Sequence, residues 1–137
     1  MTENMLSSVI EFDEDLSNVE APKPLPAGNY DSVIESAEPI MSKNGNPMVK
    51  VTHFISSDQY PADYTDGNPE GTRLTQYLML GKDQRSKYQL KQFCLGIGAA
   101  LSNSIDVNTW VGNAARVEVV NEIYEGNLNA RLKKVLN

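Results

Sequence analysis

The chain is poor in the residues from which active centres are usually assembled. Among its 137 residues there is one cysteine, Cys94, one histidine, His53, and one tryptophan, Trp110. A single cysteine excludes an internal disulfide framework and any zinc cluster built on cysteines. A single histidine removes the raw material for histidine-rich metal sites. No uninterrupted apolar stretch approaches the ~20 residues needed to span a bilayer, although 40% of the residues are apolar. The first residues show no basic segment followed by an apolar one, so no secretory signal is expected. A cytoplasmic protein follows as the expectation. Bases are scarce too: 12 lysines and arginines against 18 acids, a formal charge of −6.

That charge is unevenly spread. Up to Pro24 there are six acids and one base, a net −5, which leaves −1 for everything after. The acidity therefore belongs to the N-terminal segment, and the remainder is free to carry a basic patch. Residues 1–25 lack sustained periodicity and close on "APKPLP", whose alternate prolines favour extended chain. They are expected to form a flexible acidic tail. Val9, Ile10 and Phe12, beside Asp13 to Asp15, are its one apolar patch and a candidate docking segment. Residues 26–137 are expected to form one domain.

Within that domain, "NYDSVIESA" alternates as a strand does. Asn44-Gly45 marks a tight hairpin turn. "PMVKVTHFIS" is a second strand, with Val49, Val51 and Ile55 on one face and Lys50, Thr52 and Phe54 on the other. A loop rich in Pro, Gly, Asp and Asn follows, in which Tyr60 and Tyr64 serve as pins or as stacking groups. "TRLTQYLML" is a third strand, with Arg73, Thr75 and Tyr77 opposite Leu74, Leu78 and Leu80. Leu90, Phe93, Cys94, Ile97 and Leu101 recur at helical spacing and predict an amphipathic helix that starts between Asp83 and Ser86, where "SKYQ" fits a capping box. "WVGNAARVEVVNEIY" predicts a fourth strand. After Glu125-Gly126-Asn127, "LNARLKKVL" predicts a fifth, with Arg131 and Lys133 opposite Leu132. Three strands, a helix, then a closing hairpin is the element order of a five-stranded oligonucleotide/oligosaccharide-binding (OB) barrel, an order that other small mixed folds can share. The expected fold is thus mainly β, an OB-like barrel with one helix between strands 3 and 4.

Signals of catalysis are weak. Gly96 and Gly98 lack the strand and the following residues of a dinucleotide loop. Asp63, Asp66 and Glu70 lack the alternating spacing of a calcium loop. Cys94 falls on the apolar stripe of the helix, where it reads as core, and His53 reads as a core-edge residue. No pair of carboxylates suggests acid–base work. No metal, no cofactor and no enzymatic activity are expected.

Binding is better represented. Holding a single nucleic-acid strand needs cations for phosphates and flat rings for bases, the latter worth roughly 1–3 kcal/mol per base. The faces turned away from the core carry Lys50, Phe54, Arg73, Tyr77, Arg116 and Arg131, with Lys43 in the first hairpin turn and Tyr124 beside the last. Lys50, Arg73, Arg116 and Arg131 are candidates for phosphate contact, and Phe54, Tyr77 and Tyr124 for stacking. Phe54 and Tyr77 have a second reading, as a cover for the tail or for a second copy. Trp110 reads either as a plug at the mouth of the barrel or as a platform.

Three segments carry a resemblance. "LPAGNYDSVIESAEPIMSKNGNPMVKV", "LKQFCLGIGA" and "WVGNAARVEVV…YEGNLNARLKKV" resemble a family of small bacteriophage single-stranded DNA-binding proteins of replication and recombination. The likeness runs from Leu25 onward. It implies an OB-type barrel, sequence-independent protection of single strands, residence in the cytoplasm of a host bacterium, and replication or recombination proteins of phage or host as partners of the acidic tail. One departure is plain: many such proteins carry an acidic tail at the C-terminus, whereas here the acidic segment is N-terminal and the other end reads "RLKKVLN". The competing expectation is a non-enzymatic protein-interaction module, such as a virion component or an inhibitor of a host protein.

Overall fold

The computed structural model describes residues 7–137. The chain is mainly β: five antiparallel strands form one open sheet, and one helix lies between the third and fourth. The strands are β1 (Gly28–Met41), β2 (Pro47–Ile55), β3 (Thr72–Met79), β4 (Ala114–Tyr124) and β5 (Asn127–Leu136), and the helix α1 is Gln84–Ile97. The sheet order is β3-β2-β1-β4-β5, so β3 and β5 are its edges. The first six residues of the expected tail lie outside the described residues.

Period-two alternation decides which side of the sheet is core. Tyr30, Ser32 and Ile34 of β1 point inward with Val49, Val51, His53 and Ile55 of β2, Ala115, Val117 and Val119 of β4 and Leu132 of β5, all buried. β1 pairs with β2 along one half and with β4 along the other. A register shift between Ile34 and Ser36 marks the changeover, and a bulge of this kind bends the strand and raises its twist. α1 packs Phe93, Cys94 and Ile97 into the same core. Asp83 caps it, its side chain accepting from Ser86 N at 3.0 Å, so the helix starts within the expected interval from Asp83 to Ser86, on Asp83 and not on the "SKYQ" box. Gly98, with φ of 71°, ends it, which leaves Leu101 outside. Gly96 serves packing: a Cβ there would lie 2.5 Å from Val135 Cγ1 and 3.0 Å from Leu136 O, so the helix and β5 touch through the missing side chain.

The first hairpin turn differs from expectation, and the second lies where it was expected. At Asn44-Gly45 only Gly45 has positive φ, 82°, within a longer loop closed by Gly45 N donating to Ser42 O and Ser42 N to Asn46 O. The two-residue turn with positive φ at both positions is Glu125 (52°) and Gly126 (80°), the geometry that matches strand twist. Trp110 is also placed differently. It ends a short 3-10 turn, Val107–Trp110, and the fourth strand starts only at Ala114. Gly112, at φ 92°, breaks any extended run between them.

The N-terminal segment is anchored where it meets the domain. Leu25 is buried, Asn121 donates to Leu25 O, Tyr64 donates to Lys23 O, and Lys23 N donates to Asp66 Oδ2. Before Lys23, Val9, Ile10, Phe12, Leu16 and Val19 are all more than half exposed.

His53, expected at the core edge, is fully buried. It donates from Nε2 to Gln76 Oε1 (3.0 Å), and its Nδ1 faces Ser32 Oγ (3.3 Å), whose hydroxyl donates to Ala115 O (3.1 Å). This polar chain crosses β3, β2, β1 and β4 inside an apolar core. Burial pushes the imidazole below its ordinary 6.5, against the opposing effect of the Gln76 hydrogen bond. The unfolded chain therefore binds a proton that the folded one refuses, and stability rises with pH across that interval. Below about pH 6.5 the unfolding free energy is expected to fall, by at most ~1.4 kcal/mol per pH unit from this group. Urea titrations between pH 5 and 8 check it: the slope is expected to flatten in His53→Gln.

Candidate nucleic-acid interface

The outward face of β2 and β3 is a checkerboard set by register. Lys50 lies directly opposite Tyr77, Thr52 opposite Thr75, and Phe54 opposite Arg73. Side chains opposite one another on antiparallel strands stand about 5 Å apart at Cβ, so each cation has an aromatic neighbour. The Arg73 guanidinium carbon is 5.0 Å from the Phe54 ring centroid, a cation–π contact. The two aromatic positions are four residues apart along the strands, about 13 Å, and form separate platforms. Tyr77 is 54% exposed, and Phe54 is half-buried.

Phe54 is held from beneath. Gly71 has φ of 104°, and a Cβ on it would lie 2.5 Å from two atoms of the Phe54 ring and 2.8 Å from Ile55 O. The ring thus rests on a position where only glycine fits. Gly71→Ala is expected to cost about 2–3 kcal/mol, from backbone strain and displacement of the ring. Thermal unfolding measures the loss, and the Phe54 ring signals in an NMR spectrum report the displacement.

Carboxylates reach the candidate arginines of β3, β4 and β5. Arg73 Nε donates to Glu35 Oε1 at 2.7 Å, Arg116 Nη1 to Asp31 Oδ1 at 2.9 Å, and Arg131 Nε to Glu122 Oε2 at 2.8 Å. Glu35 sits in the β1 register shift and reaches past β2 to β3. Its hydrogen bond raises the already high Arg73 pKa. Glu38 lies opposite Lys50. All three arginine pairs are about half exposed, so water and salt screen them and a phosphate can compete for the guanidinium.

Lys50, Phe54, Arg73 and Tyr77 therefore share one surface. Lys43 is exposed in the β1–β2 turn at the end of that surface nearest Lys50. Arg116 lies where β1 pairs with β4. Tyr124 and Arg131 belong to the β4–β5 hairpin, which runs on past the first residue of β1. Counted along the ladder, Tyr124 is about 30 Å from Phe54. Ile123, Tyr124 and Leu128 make the tip of that hairpin apolar and exposed. Tyr60 and Tyr64 act as pins. Tyr60 Oη lies 2.7 Å from Thr72 Oγ1 and donates to Asn68 O, and the two rings meet edge to face at 5.2 Å. Trp110 is fully buried against Phe93 and offers no platform. Among the described residues no group of three or more His, Cys, Asp or Glu is placed to hold a metal ion, and no helix is long and apolar enough to cross a membrane.

The residues that sequence reasoning missed are the acids. Asp31, Glu35 and Glu38 are spread along β1, and only strand pairing sets them beside Arg116, Arg73 and Lys50. The fold and face define a small antiparallel β protein with a mixed aromatic and cationic surface. The chain belongs to the family described as "Protein of unknown function (DUF669)", which matches residues 12–133. No curated protein matches it.

Proposed function

We propose that the domain binds single-stranded DNA without reading its sequence, by stacking bases on Phe54 and Tyr77 and meeting phosphates with Lys43, Lys50 and Arg73. The observation that carries this is the pairing of each aromatic with a cation directly across β2 and β3. A strand lying over such a face meets a ring and a charge at each of its two ends, with Thr52 and Thr75 between them. The sheet order supports an OB-type barrel, in which β1 serves both halves and the β2–β3 face is the usual groove. Arg116, Tyr124 and Arg131 extend the path along β4 and β5. The role is protection of single strands during phage replication or recombination in the cytoplasm of a host bacterium. The exposed acidic and apolar segment around Phe12 offers a contact for a partner protein. This function is binding, not catalysis.

Fluorescence anisotropy with labelled oligo-dT tests the proposal. Binding is expected to weaken with salt, each phosphate contact adding about −0.7 to the slope of log K against log salt. RNA and duplex DNA in the same assay define the preference. No binding at low salt overturns it.

One observation favours a second reading. Arg73, Arg116 and Arg131 all already have carboxylate partners, and strong nucleic-acid binders are often plainly basic. A protein-interaction module would use the same face through its rings, with little dependence on salt.

A further inference from the structure

β3 and β5 are the two edges of the sheet, and no ladder among the described residues joins them. Between them, against α1, is a cavity of about 400 Å³. It draws Tyr77 from β3, Tyr88 and Gln89 from α1, and Lys133 and Lys134 from β5. Tyr88 is 56% exposed. No acid is among the lining residues; the nearest in register is Glu118 of β4, opposite Lys134, as Glu38 is opposite Lys50. Among the described residues neither lysine is in an ion pair. Their adjacency has a structural cause. The register shift opposite Glu118 and Val119 pairs Leu132 with Val119 and Lys134 with Glu118, which leaves Lys133 as the extra residue of a bulge. Regular alternation would have sent the two lysines to opposite faces; the bulge brings both to the cavity.

We propose that this cleft takes one nucleotide of the bound strand, its base against Tyr77 and Tyr88 and its phosphate on Lys133 and Lys134. The inference rests on the single-strand reading above and extends its path around the β3 edge. Tyr77 belongs both to the β2–β3 face and to the cleft, so the two surfaces are continuous. The volume sits at the small end of the roughly 300–1,000 Å³ of ligand pockets, the scale of one nucleotide and not of a folded partner. Rings to stack a base, an exposed amide at Gln89 to meet its edge, and two cations for the phosphate are the chemistry a nucleotide unit requires.

The test uses the full chain. An amide-resolved NMR titration with oligo-dT is expected to shift Tyr88, Gln89, Lys133 and Lys134 together with Lys50 and Tyr77. In anisotropy, Tyr88→Leu is expected to lower affinity roughly 5- to 100-fold, the loss of one stacked base. The double variant Lys133→Ala, Lys134→Ala is expected to reduce the salt slope by about 1.4. All three side chains are exposed, and circular dichroism verifies that the variants fold. Strand-induced shifts on β2 and β3 with the four cleft amides unmoved, and both variants binding like wild type, overturn the cleft and leave strand binding standing. Absence of strand binding by the wild-type protein overturns both.

Discussion

Phe54→Ala combined with Tyr77→Ala is expected to weaken oligo-dT binding by about 30-fold or more, with the fold intact. The two rings occupy separate platforms about 13 Å apart along the strands, so each supports its own base. A stacked base is worth roughly 1–3 kcal/mol, and a tenfold change in affinity corresponds to about 1.4 kcal/mol. Two bases therefore account for about 30-fold at the low end and 10⁴-fold at the high end. Neither ring belongs to the buried core. The salt slope is the sharper readout. No charge is removed, so affinity falls at every salt concentration while the slope stays unchanged. Lys50→Ala does the reverse, flattening the slope by about 0.7. A double variant that binds within about threefold of wild type would remove the β2–β3 face from strand binding. A salt-independent interaction with a protein, abolished by the same double variant, would establish the competing reading.

Strand positions and faces were legible because β2 and β3 obey strict alternation. Val49, Val51 and Ile55 pointed inward on their spacing alone, and the structure buries all three. Position 110 was not legible. Trp-Val is a strong strand signal, but Gly112 takes a positive φ and the strand begins only at Ala114. Local propensity lost there to a backbone need that appears only in three dimensions. The lysines of β5 failed for a related reason: alternation assigns Lys133 to the side of Arg131, and it cannot anticipate the bulge that puts Lys133 and Lys134 at one cavity.

The candidate site was half legible for a deeper reason. Cations and rings could be counted on each outward face, but their partners lie far away in sequence. Arg73 meets Glu35, 38 residues back, and Arg116 meets Asp31, 85 residues back. Such pairs depend on the register between strands and on the irregularity in β1, and neither is written in local pattern. The cleft gathers β3, α1 and β5, and it exists only once the sheet has curved enough to bring its two edges to one helix.

Trp110→Ala is expected to remove about 3–5 kcal/mol of stability, the cost of truncating a large buried aromatic. Domains of this size hold about 5–15 kcal/mol in all, so the variant should stand near the limit of folding. Trp110 is 0% exposed and packs on Phe93 with ring centroids 5.0 Å apart. The segment after it is laced to the rest of the core. Gly112 N donates to Ile34 O, Ile34 N to Asn113 O, and Asn113 Nδ2 to Ile97 O. The indole thus fills the space where the start of β4, the middle of β1 and the end of α1 converge. Among the described residues its buried Nε1 has no hydrogen-bond partner, and an unsatisfied buried donor costs about 1–3 kcal/mol. Trp110→Phe removes that penalty along with part of the ring, so its net loss should stay under about 2 kcal/mol. Urea denaturation followed by circular dichroism compares the three proteins. Equal losses in the two variants would mean that the indole N–H finds a partner. A Trp110→Ala protein within about 1 kcal/mol of wild type would mean that the ring does not fill the core. Trp110→Phe should also bind oligo-dT like wild type, since a ring without exposure cannot stack a base; a loss of affinity there, with stability retained, would return Trp110 to the interface.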